Sequence, residues 1–118
     1  MHKIKPLLFA LLEHLTEENN SHFQGAKRVF VKDEDTASSL TQFAYGLMRK
    51  GEESGFHSHK TMEEYFYFIN GRGVFLIETE SFGLRPTSFV RVPAGTLHNI
   101  RNEHEENLEF VYFGIAVQ

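Results

Sequence analysis

The chain has 118 residues, of which 41% are hydrophobic and 24% charged, and its formal net charge at pH 7 is -4. These values predict one soluble globular domain and offer no basic surface for phosphate backbones, so we expect no nucleic-acid partner. Because the chain contains no cysteine, disulfides and thiolate metal sites are excluded, and any metal must be held by histidine and carboxylate side chains.

The first segment, MHKIKPLLFALLEHLTEE, carries leucines at helical spacing and predicts one short amphipathic helix between Pro6 and Leu15. Its apolar run is too short to span a bilayer, and acidic residues follow without a small-residue cleavage site. We therefore interpret this segment as a mature N-terminus and expect a cytoplasmic protein without membrane association. The expected organisation is an N-terminal helix or arm over residues 1–22 and a single barrel domain over residues 23–118.

After this segment the pattern changes to short β-branched and aromatic runs separated by glycine, asparagine, proline and charged clusters. The predicted strands are AKRVFV, SLTQFAYGLM, EYFYFI, GVFLIETE, SFVRV and LEFVYFGIAV. Six or more strands without intervening helices predict an all-β sandwich or barrel.

Two of the predicted strands are apolar on both faces. In EYFYFI, side chains alternate between two sets, which are Glu64, Phe66 and Phe68 on one face and Tyr65, Tyr67 and Ile69 on the other. In LEFVYFGIAV, Phe110 and Tyr112 alternate with Val111, Phe113 and Ile115. One face can fill a barrel interior, whereas the other needs a cover that one short helix is too small to provide. We therefore expect a homodimer in which a second copy covers this face.

The segment GEESGFHSHKTMEEYFYFINGRG places His57 and His59 two residues apart. On a strand such residues point to the same side, so both imidazoles can reach one metal ion. Glu64 shares the parity of the phenylalanines on its strand, which directs its carboxylate toward the same interior. The neighbouring Glu63 is expected to point away.

His98, in VPAGTLHNIRN, is the fourth candidate ligand. Pro93 and Gly95 predict a tight turn that places His98 at the start of the next strand. Three imidazoles and one carboxylate suit one divalent transition metal ion (Fe, Mn, Ni, Cu, Co or Zn) rather than calcium or magnesium. The alternative for the same four residues is a hydrogen-bonded polar pocket that holds no ion.

These residues resemble the cupins, a family of small jelly-roll β-barrels with two sequence motifs. The first motif consists of a glycine, a His-X-His pair, a glutamate and a second glycine, and its positions are occupied here by Gly51, His57, His59, Glu64 and Gly71. The resemblance implies an all-β, cupin-type jelly-roll barrel, to which the leucine spacing of the first segment adds one short N-terminal helix. It also implies that His57, His59, Glu64 and His98 are the metal ligands.

The second cupin motif combines a glycine, a Pro-X-Gly turn, a histidine and an asparagine. Pro93, Gly95, His98 and Asn102 match it, whereas Thr87 stands at the first glycine position. Thr87 precedes a predicted strand and is not a ligand, so we expect altered turn geometry and an intact site. Asn102 is expected to close a turn with the loop NEHEEN.

The other histidines lack paired spacing, and we expect four of them at the surface: His2, His14, His22 and His104. We also expect the arginines at the surface, with a carboxylate or phosphate clamp as the alternative; they are Arg49, Arg72, Arg85, Arg91 and Arg101.

Five aromatic residues are expected in the core, with a substrate pocket as the alternative; they are Phe66, Phe68, Phe75, Phe110 and Tyr112. The hydroxyl of Tyr45 or Tyr112 could act as a hydrogen-bonding or acid–base group, although strand parity alone does not place either one.

The predicted function is a small metal-binding cupin that binds a small organic molecule at the three-histidine, one-glutamate site. Cupin resemblance implies dioxygenase, isomerase, epimerase or decarboxylase chemistry, and the sequence selects none of these and identifies no catalytic residue. The alternative is a non-enzymatic module that binds or senses a metabolite or sugar in the same pocket. A third hypothesis makes the ion purely structural.

Overall fold

The structure, a computed structural model, describes residues 7–19 and 24–117. Its strands are β1 (Glu18–Asn19), β2 (Ala26–Lys32), β3 (Leu40–Met48), β4 (Met62–Asn70), β5 (Gly73–Ile77), β6 (Glu80–Leu84), β7 (Phe89–Val92), β8 (His98–Arg101) and β9 (Leu108–Ala116). They form a six-stranded sheet of order β1-β2-β3-β9-β4-β7 and a three-stranded sheet of order β6-β5-β8, and neighbouring strands run antiparallel. This is the all-β jelly roll that the sequence predicts.

The predicted strand GVFLIETE is divided by a hairpin turn that the sequence pattern did not reveal. Strand β5 ends at Ile77, and β6 begins at Glu80, the residue paired with Ile77. Glu78 turns the chain with a φ of 54°. Glycine or asparagine usually marks such a turn, and neither is present. The predicted strand therefore continues through the turn and ends at Glu80, so that most of β6 was not predicted.

The N-terminal helix prediction was wrong in extent. Within residues 7–19, helical geometry is confined to a 3-10 turn at Leu12–His14, and the residue before it, Leu11, is extended; Pro6, where the predicted helix begins, lies outside the described residues. Leu8 and Phe9 are 92% and 76% exposed, so these two side chains do not pack against the barrel of their own chain. A helix this short is not stable without tertiary packing. No helix among the described residues has the length and apolar character needed to cross a membrane.

The two-residue alternation of β4 and β9 is confirmed by burial. Phe66, Phe68 and Phe110 face the interior and are at most 5% exposed. Tyr67 and Ile69, on the opposite face of β4, are 45% and 41% exposed. The outer face of the six-stranded sheet therefore carries aromatic side chains that this single chain leaves partly in contact with solvent.

Aromatic rings join the two sheets in one core. Phe66 of the larger sheet and Phe75 of the smaller one meet edge to face with centroids 5.1 Å apart, and Phe68 contacts Phe75 at 6.2 Å. Such pairs contribute about 0.5–1.5 kcal/mol each beyond the area they bury. The predicted core role of the four phenylalanines is confirmed, and Tyr112 packs against the same cluster.

Asn102 ties two loops to the barrel, as predicted. It is fully buried, and its Nδ2 donates to the carbonyls of Met48 and Glu106 at 3.0 and 2.8 Å. Its Oδ1 accepts from the backbone N–H of His104 at 2.9 Å. Every polar atom of the buried amide group is therefore engaged.

Thr87 is the third residue of a four-residue turn closed by a hydrogen bond from Ser88 N to Arg85 O at 3.0 Å. Its φ is 77°, a left-handed conformation that is unusual for a β-branched residue. Pro86 precedes it, as is common in type II turns, and this turn type needs positive φ at its third position. The turn geometry thus explains why glycine suits this position of the cupin motif.

Candidate metal centre

One loop and two strands bring the four sequence-predicted ligands to one point. His57 and His59, expected on a strand, lie in the loop between β3 and β4, and His98 is the first residue of β8. His57 and His98 form an isolated antiparallel bridge in which each backbone N–H donates to the carbonyl of the other, at 3.0 and 2.9 Å. His59 lies two residues further along, and Glu64 projects inward from β4. One ligand atom from each of the four residues lies within 4.8 Å of all the others.

Backbone carbonyls orient two of the imidazoles. His57 Nδ1 lies 2.8 Å from the carbonyl oxygen of Gly55, and His98 Nδ1 lies 2.9 Å from that of Thr96. A carbonyl only accepts, so each Nδ1 carries the hydrogen and each Nε2 is left as the lone-pair nitrogen. Fixing the tautomer of a ligating histidine in this way is the usual role of its second nitrogen.

Two buried acceptor atoms face each other at the centre of the cluster. Glu64 Oε1 lies 3.2 Å from His98 Nε2 and 3.5 Å from His59 Nε2. Within the described ranges, Glu64 Oε1 and His98 Nε2 have no hydrogen-bond partner, although the two residues are only 7% and 1% exposed. Buried acceptors without a donor are costly and rare. A cation between them would satisfy both, so this donor set fits a metal ion.

The spacing of the ligand atoms fits a transition metal after a small contraction. Ligands at about 2.1 Å from an ion lie at most about 4.2 Å apart, and the present cluster spans up to 4.8 Å. Side-chain movements of tenths of an ångström would close this difference. The His59 side chain is 36% exposed and therefore marks the side on which the cluster is open to solvent.

Burial also sets the charge state of groups near the cluster. The pKa of His57 is lowered, mainly by burial and further by the neighbouring histidines, which favours the neutral imidazole that coordinates metals. The pKa of Tyr112 is raised to about 12, mainly by burial and next by the charge of Glu64. Gln42 acts in the other direction through a side-chain hydrogen bond to Tyr112.

A cavity of about 60 Å³ adjoins the four ligands and extends into the barrel. Its apolar wall includes Ala26, Met48, Phe66, Ile100 and Phe110. Its polar lining, apart from the four ligands, includes Gln24, Ser54 and Tyr112. The sequence pattern did not reveal Gln24 or Ser54 as lining residues. Each lies in a loop, directly before a glycine, where no strand periodicity predicts the direction of a side chain.

Glu64 and Tyr112 line the cavity, whereas Glu63 and Tyr45 face outward. Glu63 accepts hydrogen bonds on the outer face from Tyr65 and Arg91, both at 2.7 Å. Tyr45 also faces outward and donates to Glu109. The predicted direction of Glu63 is thus confirmed, and only Tyr112 of the two tyrosines lines the cavity.

None of the five arginines considered above lines the cavity, and Arg49 and Arg91 pair with Glu17 and Glu63 instead. Among the other histidines, His14 and His104 are exposed, as predicted. His2 and His22 lie outside the described residues.

Two curated proteins illustrate the relationships of the sequence. The polyketide synthase CurC of Streptomyces cyaneus is 26% identical over 112 residues, which cover 95% of this chain and 71% of that protein. An uncharacterised protein of Methanocaldococcus jannaschii is 30% identical over 59 residues, covering 50% of this chain. The aligned segment spans only 47% of the length of that relative.

Solved structures with similar architecture have diverse descriptions. One described as a predicted oxalate decarboxylase from Thermotoga maritima superposes with a TM-score of 0.87 and 21% identity, covering 93% of this chain and 100% of that one. The polyketide cyclase RemF from Streptomyces resistomycificus superposes with a TM-score of 0.80 and 12% identity, covering 92% of this chain and 79% of that one. KdgF from Halomonas sp. superposes with a TM-score of 0.73 and 16% identity, covering 91% of this chain and 94% of that one. At these identities the likeness establishes the fold alone.

The sequence model of the cupin domain family matches residues 45–114. This match covers more than half of the chain and contains all four candidate ligands. The chain therefore belongs to the cupin domain family.

Proposed function

We propose that this cupin holds one divalent transition metal ion and binds a small oxygen-containing organic molecule beside it. The proposed ligands are His57, His59, Glu64 and His98. The observation that carries the proposal is the 3.2 Å approach of two buried acceptors, Glu64 Oε1 and His98 Nε2, neither of which has a hydrogen-bond partner among the described residues. A cation bound between them removes the unfavourable free energy of two desolvated, unpaired acceptors.

The donor set defines the class of metal. Imidazole with one carboxylate suits Fe, Mn, Ni, Cu, Co or Zn. Four protein ligands leave one or two positions of a five- or six-coordinate ion available to a ligand. When bound, such an ion supplies Lewis-acid polarisation of a carbonyl, carboxylate or enediol oxygen, and a redox-active ion also supports chemistry with dioxygen. The imidazoles and the carboxylate would hold the ion, and the apolar wall of the cavity would exclude water from the bound organic molecule.

The reaction class that we propose is isomerisation, epimerisation or dioxygenation, and ligand binding without turnover is the alternative. Outside the four ligands, the described residues that line the cavity include no carboxylate, lysine or histidine. The protein side chains therefore contribute little acid–base capacity. This favours either chemistry centred on the ion or a binding role. Three of the similar proteins are described as a polyketide synthase, a polyketide cyclase and a predicted oxalate decarboxylase, and these different descriptions do not select one reaction.

Elemental analysis of the untagged protein, purified without added metal, tests the proposal. We expect near-stoichiometric transition metal in the wild type and little in the His57→Ala/His98→Ala double variant. The matched control is His104→Ala, which removes an exposed histidine outside the cluster and should retain the metal. Absence of metal from the wild type, even after incubation with each candidate ion, would contradict the proposal.

A structural ion predicts a different result from a ligand-binding ion. If the ion only stabilises the barrel, chelation lowers the melting temperature but small oxygen ligands leave the spectrum of a bound Co²⁺ unchanged. If the ion binds ligands, the same additions change its visible absorption. The open side at His59 favours the second outcome, because it gives a ligand access to the ion.

We also infer that two copies of the chain pair through the outer face of the six-stranded sheet. Tyr67 and Phe89, which are paired across β4 and β7, are 45% and 62% exposed there. Tyr65 stacks on Phe113 beside them with centroids 5.0 Å apart. Exposed aromatic patches of this kind are typical of interfaces.

Analytical ultracentrifugation of the wild type and of Tyr67→Glu tests this pairing. We expect a dimeric wild type and a folded, monomeric variant. Phe56→Glu is the control, because Phe56 is comparably exposed at 53% but lies outside this sheet. A monomeric wild type at micromolar concentration would contradict the inference.

A further inference from the structure

Tyr112 is placed so that its ring forms part of the cavity wall. On β9 it pairs with Ala44 and Phe66, which are buried residues of the inward face. Its ring stacks on Phe66 with centroids 5.4 Å apart and an interplanar angle of 11°, and it contacts Phe110 at 5.6 Å. These contacts fix the ring, so its hydroxyl has a defined position within the barrel.

A chain of polar contacts orients the Tyr112 hydroxyl. Lys27 Nζ donates to Gln42 Oε1 at 2.9 Å, which engages the oxygen of the Gln42 carboxamide. The NH₂ end of the carboxamide is therefore the end that can donate to Tyr112 Oη, and a hydrogen bond from Gln42 acts to lower the pKa of Tyr112. In this arrangement Tyr112 Oη accepts from Gln42, and its own O–H remains a donor for another group.

The cavity thus has polar groups of two kinds on an otherwise largely apolar surface. The three imidazoles and the carboxylate can hold an ion, and Tyr112 supplies a neutral donor in the same cavity. A divalent ion with one carboxylate ligand keeps one net positive charge, which attracts an anionic oxygen. A ligand that also carries a second acceptor oxygen can contact the phenol.

The volume of the cavity limits the size of the buried group. A water-sized group needs about 10–15 Å³ of such volume, so a cavity of about 60 Å³ accommodates about four to six of them. This matches a carboxylate with an adjacent carbonyl or hydroxyl group. A large polycyclic ligand would have to leave most of its atoms outside the cavity or displace the wall.

We propose that Tyr112 determines ligand specificity by donating a hydrogen bond to the second oxygen of a small carboxylate held at the metal centre. The proposal rests on the proposed function of the four-residue site. It assigns Tyr112 as a specificity-determining residue and Gln42 as the residue that positions it. The ligand class is a compact carboxylate with a carbonyl or hydroxyl group on the neighbouring carbon.

Two probes of similar size distinguish this role from simple packing. Pyruvate carries the second oxygen and acetate does not. We would titrate Co²⁺-loaded wild type and Tyr112→Phe with each probe and follow the visible absorption of the ion. The wild type should bind pyruvate more tightly than acetate. Tyr112→Phe should lose about tenfold in pyruvate affinity, the value of one hydrogen bond to a partly charged group, and should keep its Co²⁺ content and its acetate affinity.

Two further variants keep the test specific. Gln42→Leu should lower only the pyruvate affinity, by a smaller factor, because the phenol remains but is no longer oriented. Tyr45→Phe removes an outward-facing hydroxyl and should match the wild type with both probes. Equal pyruvate affinity in the wild type and Tyr112→Phe would overturn the proposal, as would a loaded wild type that responds to neither probe. Failure of the wild type to load Co²⁺ would instead overturn the metal-binding function.

Discussion

Glu64 Oε1 and His98 Nε2 approach to 3.2 Å inside the barrel, although both atoms are acceptors when His98 Nδ1 donates to Thr96. Replacing Glu64 by glutamine supplies an N–H donor at the same place. We therefore expect Glu64→Gln to stabilise the metal-free protein by about 1 kcal/mol and to lose at least tenfold in metal affinity. Calorimetric metal titration and urea unfolding of the metal-free protein measure the two effects.

The chain provides a matched control for this change in the preceding residue. Glu63 carries the same side chain but is directed outward to Tyr65 and Arg91. Glu63→Gln should retain wild-type metal affinity, because its carboxylate is remote from the cluster. Equal loss of metal in the two variants would show that the inward assignment of Glu64 is wrong.

Replacing Thr87, whose backbone has a left-handed conformation, by glycine should stabilise the protein. A non-glycine residue in this region costs about 1–2 kcal/mol, part of which is offset by the extra backbone entropy that glycine loses on folding. Thr87→Gly should therefore raise the free energy of unfolding by about 0.5–1 kcal/mol in urea titrations. Thr61→Gly is the control. Thr61 is exposed and is not among the described residues with positive φ, so the change should destabilise. A lower free energy of unfolding in Thr87→Gly than in the wild type would contradict the inference that the backbone of Thr87 is strained.

The absence of a side chain at Gly46 leaves space for the ring of Phe110 in the core. A Cβ at this position would overlap the ring of Phe110, which would have to move toward the cavity. Gly46→Ala should destabilise the protein by about 1–3 kcal/mol and narrow the binding site. Gly83→Ala is the matched control, because a Cβ there meets no atom within 4 Å in the described part of the chain. Thermal unfolding of the two variants, measured side by side, checks this expectation, and similar melting temperatures would contradict it.

Tyr112 should contribute to the loss of stability at alkaline pH. Its pKa is raised from 10.0 to about 12 in the folded state, so the folded protein keeps a proton that the unfolded chain releases. The stabilisation is complete below pH 10 and is lost as the pH rises through 12. At pH 11 about half is lost, on the order of 1–2 kcal/mol. Urea unfolding at pH 8 and pH 11 should show a smaller decrease for Tyr112→Phe than for the wild type, and equal decreases would contradict the prediction.

The local parts of the candidate site could be predicted from the sequence, and the long-range parts could not. The parity of Glu64 depends on the geometry of β4 alone. His57 and His59, which were expected on a strand, lie instead in the loop between β3 and β4, with only an isolated bridge at His57, and their spacing along the chain was enough to predict that they act together. The contact between Lys27 and Gln42 depends instead on the pairing of β2 with β3, which includes a register shift between Val29 and Val31. Residue spacing along the sequence does not reveal such a shift. The contact of Lys27 with Gln42, the residue beside Tyr112, could therefore be identified only from the structure.

The same distinction explains the errors in the fold. The strands with alternating burial were predicted close to their true limits, because alternation is a local signal. The N-terminal segment also has a regular local pattern, but the surface that would support a helix is missing, since Leu8 and Phe9 face solvent. A periodic sequence therefore predicts a helix only when the fold provides a complementary apolar surface.

The proposed ligands are divided between the two sheets. His98 belongs to β8 of the smaller sheet, and Glu64 belongs to β4 of the larger one. An ion bound by both residues would cross-link the two sheets, and the sheets would separate less readily when the ion is bound. At a free metal concentration of 100 times Kd, metal binding would add about 2.7 kcal/mol to the free energy of unfolding. The availability of metal would then influence the folding stability of the whole barrel as well as the state of its cavity.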